Sequence, residues 1–289
     1  MEEKISFISA GHKLTGLLHK PDGSDENHKH VAFLVLHGFG TSKDSQTTKI
    51  VANYFAELGY LALRFDFRGC GESGGEPGRI ICLEQVEDVQ NAISYLGTRS
   101  DVDSENIAVM GHSFGAAVAL YSAGVDERLA AVISSSGWGD GEKKFRKQHV
   151  GKENWSRFTN MLKEGRIYKE KTGESLMVPR WNIVPIPDHL RKNLAADSVM
   201  SFPVETAQSM FDFVANNVVG QIAPRPIMLF HSANDSVTPT EQSLDIFRNA
   251  GQPTELYLLS DIDHFPFSEE NPRARAVLKT WLDKYLPAG

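Results

Sequence analysis

Gly111-His112-Ser113-Phe114-Gly115 sets a serine between two glycines, with a strand-like run, Ile107 to Met110, before it and a helical run of small residues, Ala116 to Leu120, after it. A serine on a sharp strand-to-helix turn brings neighbouring backbone too close for side chains, and the turn lifts the hydroxyl clear of the sheet edge. The helix start behind it also favours developing negative charge. A serine hydroxyl is a weak nucleophile until a base takes its proton, so this reading requires a histidine and an orienting carboxylate downstream.

Both partners occur in loops that a parallel sheet would bring to one edge. The run Pro226 to Phe230 leads into His231-Ser232-Ala233-Asn234-Asp235, and Glu255 to Leu259 leads into Asp261-Ile262-Asp263-His264. Strands of a parallel sheet release their following loops at the same carboxyl edge, so Ser113, Asp235 and His264 can converge. Asp261 and Asp263 are the alternative acids. Among the ten histidines, His12, His19, His28 and His30 fall in a leading hairpin or its polar loop and are expected to be solvated. His149 and His189 lie further along, and His231 ends a strand, where packing its loop is a more natural role than that of the base. Acyl transfer also develops an oxyanion, which needs backbone N–H donors. His37-Gly38-Phe39-Gly40 follows the apolar run Val31 to Leu36, so the amides of Phe39 and Phe114 are the expected donors.

The elements that carry these residues alternate. Lys4 to Lys20 reads as a hairpin closed off by Pro21-Asp22-Gly23, and Val31 to Leu36 as a strand buried on both faces. Helices over Thr47 to Leu58, Leu83 to Leu96 and Phe114 to Ser122 interleave with strands over Tyr60 to Phe65, Ile107 to Met110 and Ala131 to Ser134. The rhythm fails from about Trp138 to Val219, a stretch rich in aromatics and prolines without a convincing buried strand. It resumes with Ile227 to His231, a helix near Thr240 to Ala250, the strand Glu255 to Leu259 and a final helix, Arg273 to Tyr285. Such alternation predicts an α/β fold with a mostly parallel sheet. One core spans 1–137 and 220–289, interrupted by a helical insertion at 138–219.

The chain has 289 residues, 41% hydrophobic and 23% charged, enough for a full core and far from the composition of disorder or collagen. A net charge of −7 without a dominant basic run argues against a nucleic-acid partner. Cys70 and Cys82 lack metal-binding spacing and read as free thiols. No apolar leader follows Met1, and no run approaches the roughly 18 apolar residues of a membrane span. A cytoplasmic protein is expected, with a homodimer left open.

These motifs resemble the α/β-hydrolase superfamily. His37 to Gly40, the segment Asp66-Phe67-Arg68-Gly69-Cys70-Gly71-Glu72-Ser73, the Ser113 turn and the Asp235 and His264 loops carry the resemblance, which covers most of the chain outside the insertion. The Asp66 segment and the serine turn are similar to those of bacterial acyl esterases of the feruloyl type and of prolyl-peptidase-type catalytic domains. Resemblance implies a capped serine hydrolase that cleaves a carboxylic ester, aromatic or medium acyl, with a small acyl substrate and water as partners and no cofactor or metal. Dehalogenases and epoxide hydrolases carry a carboxylate where this chain has Ser113, and dienelactone hydrolases usually carry cysteine. Carbon–carbon hydrolysis of a β-diketone, acyl transfer of the polyketide-tailoring kind and a non-catalytic binding protein stay open. Asp66 and Arg68 are expected to be structural. The insertion places a lid over the site, and its aromatics, among them Trp138, Phe145, Phe158 and Phe202, are expected mostly to pack the lid's own small core, with the remainder available to an acyl pocket. Between Asp140 and Lys192 it carries 13 Lys or Arg against 7 Asp or Glu, a basic face that would attract anionic substrates.

Overall fold

A computed structural model describes residues 1–23, 28–268 and 271–288. Positions 24–27 of the expected polar loop lie outside the described residues. The chain runs β1 (Glu2–Ser9), β2 (His12–His19), β3 (His30–Leu36), α1 (Gln46–Glu57), β4 (Leu61–Phe65), α2 (Cys82–Gly97), β5 (Val102–His112), α3 (Phe114–Val125) and β6 (Leu129–Ser135). Next come α4 (Gly141–Gln148), α5 (Lys152–Thr172), β7 (Met177–Pro179), α6 (Arg180–Ile183), β8 (Ser201–Pro203) and α7 (Val204–Asp212). The last elements are β9 (Ile227–Ser232), α8 (Glu241–Asn249), β10 (Thr254–Leu259) and α9 (Pro272–Tyr285).

Eight strands form one sheet in the order β1-β2-β4-β3-β5-β6-β9-β10. Pairing is antiparallel from β1 through β2 to β4 and parallel from β4 to β10. The hairpin turns at Ala10 and Gly11, both at positive φ, as a two-residue turn between twisted strands requires.

The unbroken apolar run of β3 has a simple cause. Ala32, Leu34 and Leu36 join the apolar cluster of α2 and α3, whereas Val31, Phe33 and Val35 join that of α1 and α9. A strand covered by helices on both faces has no solvent side to encode. Two expectations fail nearby, since His19 and His30 are buried, 2% and 8% exposed. His19 Nε2 accepts from Arg64 Nε at 2.8 Å, which gives the ring a dry, satisfied place in the strand.

Neighbouring strands β6 and β9 pair directly, so everything between them leaves and rejoins the sheet at one place. That segment holds a short antiparallel pair, β7 with β8, where no strand was expected. Its buried aromatics Trp138, Phe145, Phe158, Phe202 and Phe213 belong to the same apolar cluster as α2 and α3 rather than to a core of their own. Among the described residues no helix is long and apolar enough to cross a membrane.

Candidate active site

The parallel strands deliver their loops to one edge of the sheet, and three of those loops meet. Ser113 follows β5 and precedes α3 at φ +55°, a left-handed conformation that a non-glycine residue holds only when its surroundings enforce it. The enforcement comes from close backbone approach. A Cβ on Gly111 would lie 2.1 Å from the Gly115 carbonyl oxygen, and one on Gly115 would lie 2.5 Å from that of His37. Gly111→Ala should therefore destabilise the fold by about 3 kcal/mol or more, seen as a lower urea midpoint, because backbone must shift to admit the methyl. An unchanged midpoint would contradict this packing.

The Ser113 hydroxyl donates to His264 Nε2 at 3.0 Å. On the other side of the ring, Nδ1–H donates to the two oxygens of Asp235 at 2.8 and 3.1 Å. The carboxylate fixes which nitrogen carries the proton, leaving Nε2 free to accept. Asp235 also accepts from the amides of Val237 and Thr238 at 2.8 and 2.7 Å, and His231 Nε2 stands 3.3 Å from its second oxygen. Burial alone would raise its carboxyl pKa, but His264 and His231 outweigh that and hold it well below the usual carboxylate range. The alternative acids lie elsewhere: the Asp261 side chain is 85% exposed, and Asp263 accepts from the Ser236 amide and hydroxyl.

Of the two amides expected to hold an oxyanion, that of Phe114 directly follows the serine, and Phe39 lines the same cavity as Ser113. Phe114 opens α3, where an amide has no intrahelical partner. The Phe39 amide makes no backbone hydrogen bond among the described residues. His37 holds the peptide that joins Gly38 to Phe39. Its Nε2 accepts from the Phe67 amide at 3.1 Å, so Nδ1–H donates to the Gly38 carbonyl at 2.9 Å. A planar trans peptide then turns the Phe39 N–H the opposite way. Burial lowers the pKa of His37 and keeps the ring neutral. His112 leans on the His264 ring, centroids 4.9 Å apart, and burial together with His264 holds it far below the ordinary histidine value.

A cavity of about 30 Å³ lies against Ser113 and His264, with aliphatic walls from Val184, Ile186, Leu194 and Val237. The inserted aromatics do not line it, and of the inserted cations only Arg180 does. Several of the other basic residues pair with acids at the surface, as in Arg146 with Glu142 and Lys169 with Glu205. Lys144 is the exception. It is 2% exposed, bonded to Gln148 Oε1 at 3.0 Å and seated over the Phe145 ring, and burial brings its ammonium down to about 7. An unfolded lysine binds its proton up to 10.5, so stability should rise with pH between those two values. Lys144→Met should raise the Tm near pH 6 by about 1–2 kcal/mol in equivalent stability and lose that advantage near pH 10. A gain independent of pH would mean that the charge is not what costs stability.

Asp66 accepts from the Lys43 amide and ammonium at 2.6 and 2.8 Å, and Arg68 pairs with buried Asp88. Cys70 and Cys82 are buried free thiols, and burial pushes Cys82 up to about 12. Among the described residues no group of three or more His, Cys, Asp or Glu side chains is placed to hold a metal.

A family profile described as alpha/beta hydrolase fold matches residues 31–271. The chain belongs to the alpha/beta hydrolase family. Within it, polyketide transferase grgF of a Penicillium species is 28% identical over 239 residues, 81% of this chain and 80% of that protein. The crystal structure of alpha/beta hydrolase GrgF from Penicillium sp. sh18 superposes with a TM-score of 0.80 at 24% identity, covering 98% of this chain and 97% of the other. Est1E from Butyrivibrio proteoclasticus, solved with ferulic acid bound, gives 0.69 at 18% identity, covering 98% and 99%. At these identities the two structures establish shared fold. Sequence reading missed the contact of His231 with Asp235, although a histidine four residues before the acid on the same strand end was its available signal.

Proposed function

We propose that this chain is a serine-dependent acyl hydrolase that cleaves a carboxylic ester, aromatic or medium acyl, through a covalent acyl-enzyme. The observation that carries this reading is the continuous chain of hydrogen bonds from Asp235 through His264 to Ser113. Ser113 Oγ attacks the ester carbonyl while its proton passes to His264 Nε2. Asp235 stabilises the imidazolium that forms, and the Phe39 and Phe114 amides hold the oxyanion, each worth about 3 kcal/mol in such sites. The imidazolium then protonates the leaving alcohol. Water repeats the sequence on the acyl-enzyme and frees the acid.

In this reading the segment between β6 and β9 acts as a cap. A cavity of about 30 Å³ has room for about one water molecule, so acyl binding requires the cap side chains Val184, Ile186 and Leu194 to move apart. Their aliphatic character suits a medium acyl chain. Likeness to a polyketide transferase favours a second reading, in which an alcohol or amine replaces water as acceptor. A panel of p-nitrophenyl esters of increasing acyl length, with and without an added alcohol, tests both. Burst release of nitrophenol with free acid as product supports hydrolysis, and a transferred acyl product in place of the acid supports transfer. Absence of any turnover across aryl and alkyl esters would count against both and favour a binding role.

A further inference from the structure

Arg180 opens α6 in the cap, and it is 1% exposed. A buried guanidinium ordinarily requires an anion. Here none is paired with it: among the described residues no carboxylate forms an ion pair with Arg180, and the nearby Cys70 thiol is kept protonated by burial. Three backbone carbonyls hold it instead. Nη1 donates to Gly40 at 3.1 Å and to Val199 at 2.8 Å, and Nη2 donates to Phe39, while Nε has no partner among the described residues.

Two of those carbonyls belong to the loop that carries Phe39, the proposed oxyanion donor. Other contacts tie the same loop to the stretch from Asp197 to Phe202 that leads into β8. The Val199 amide donates to the Gly40 carbonyl at 2.8 Å, and the Phe39 ring stacks on Phe202 at 4.4 Å. Ser42 Oγ donates to Asp197 at 2.9 Å. The fit leaves no slack, since a Cβ on Gly40, at φ +53°, would lie 2.4 Å from the Phe202 ring and 3.0 Å from Arg180 Nη1. His37 fixes the peptide before Phe39 from the core side, and Arg180 fixes the one after it from the cap side.

We propose that Arg180 is a positioning residue through which the cap sets the oxyanion loop, so that the site is complete only with the cap seated. This rests on the acyl-transfer reading of Ser113. A guanidinium suits the task because its planar fork reaches two successive carbonyls at once, which an ammonium cannot do with the same geometry.

The test uses the full chain with p-nitrophenyl butyrate as substrate and a trifluoromethyl ketone as transition-state analogue. Wild type is first labelled with a fluorophosphonate at Ser113; failure there overturns the acyl-transfer reading itself. With labelling in hand, Arg180→Met should lower kcat by roughly 10²-fold with KM little changed, the scale of losing one oxyanion donor. Affinity for the ketone should fall by a similar factor, and guanidinium added to Arg180→Ala should restore part of the rate where ammonium does not. Arg180→Lys, which keeps the charge and one donor, should fold and fall between wild type and Met. Overturning results are a kcat within about threefold of wild type in Arg180→Met, or a loss confined to KM, which would make Arg180 a substrate contact.

Discussion

Ser113→Ala should lower turnover of an activated ester by roughly 10⁴-fold or more while the far-ultraviolet spectrum and Tm stay close to wild type. In the proposed mechanism the oxygen makes the bond that becomes the acyl-enzyme, and alanine leaves only the proposed oxyanion donors, the amides of Phe39 and Phe114, to accelerate attack by water. Little structural loss is expected. The hydroxyl makes its bond to His264, which keeps its second anchor on Asp235, and alanine meets the same positive φ that serine already holds. A folded variant retaining near-wild-type rate would place the nucleophile elsewhere.

Asp235→Asn should lower kcat by roughly 10⁴-fold without moving the backbone. Asparagine can still accept from the Val237 and Thr238 amides through its oxygen, so the loop stays in place. Its NH₂ then faces His264 Nδ1 and donates where the carboxylate accepted. The proton must move to Nε2, and a ring that donates toward Ser113 cannot take the serine proton. Wild-type Asp235 is held well below the usual carboxylate range, so it stays ionised wherever the protein is assayed. Asp235 itself should accordingly contribute no loss of activity as pH falls through the ordinary carboxylate range, and an activity that tracked carboxylate titration near pH 4 would contradict the account.

Much of this site was legible because sterics write it into sequence. Glycines at 111 and 115 are dictated by backbone contacts of 2.1 and 2.5 Å, and continuous apolar runs mark strands covered on both faces. Loop order then places Asp235 and His264. What sequence hid are interactions between segments far apart in the chain. Arg180 reads as one more cation in a basic stretch, because nothing local shows that it reaches carbonyls some 140 residues earlier. His19 and His30 looked solvated because their burial depends on Arg64 and Gly59, which come later. Strands β7 and β8 span only three residues each, too short for an alternating pattern to appear. The inserted aromatics were expected mostly to pack a small core of their own, yet they join the apolar cluster of α2 and α3, and Val184, Ile186 and Leu194 reach the cavity beside Ser113.

The central claim, a covalent acyl-enzyme on Ser113, is tested most directly by mass. Protein mixed with p-nitrophenyl butyrate and quenched in acid within the burst should gain one butyryl group, and proteolysis should map it to the peptide that carries Ser113. Asp235→Asn should accumulate that adduct far more slowly, and Ser113→Ala should not form it. An adduct on another residue, or steady ester turnover with no covalent species at any quench time, would contradict the account.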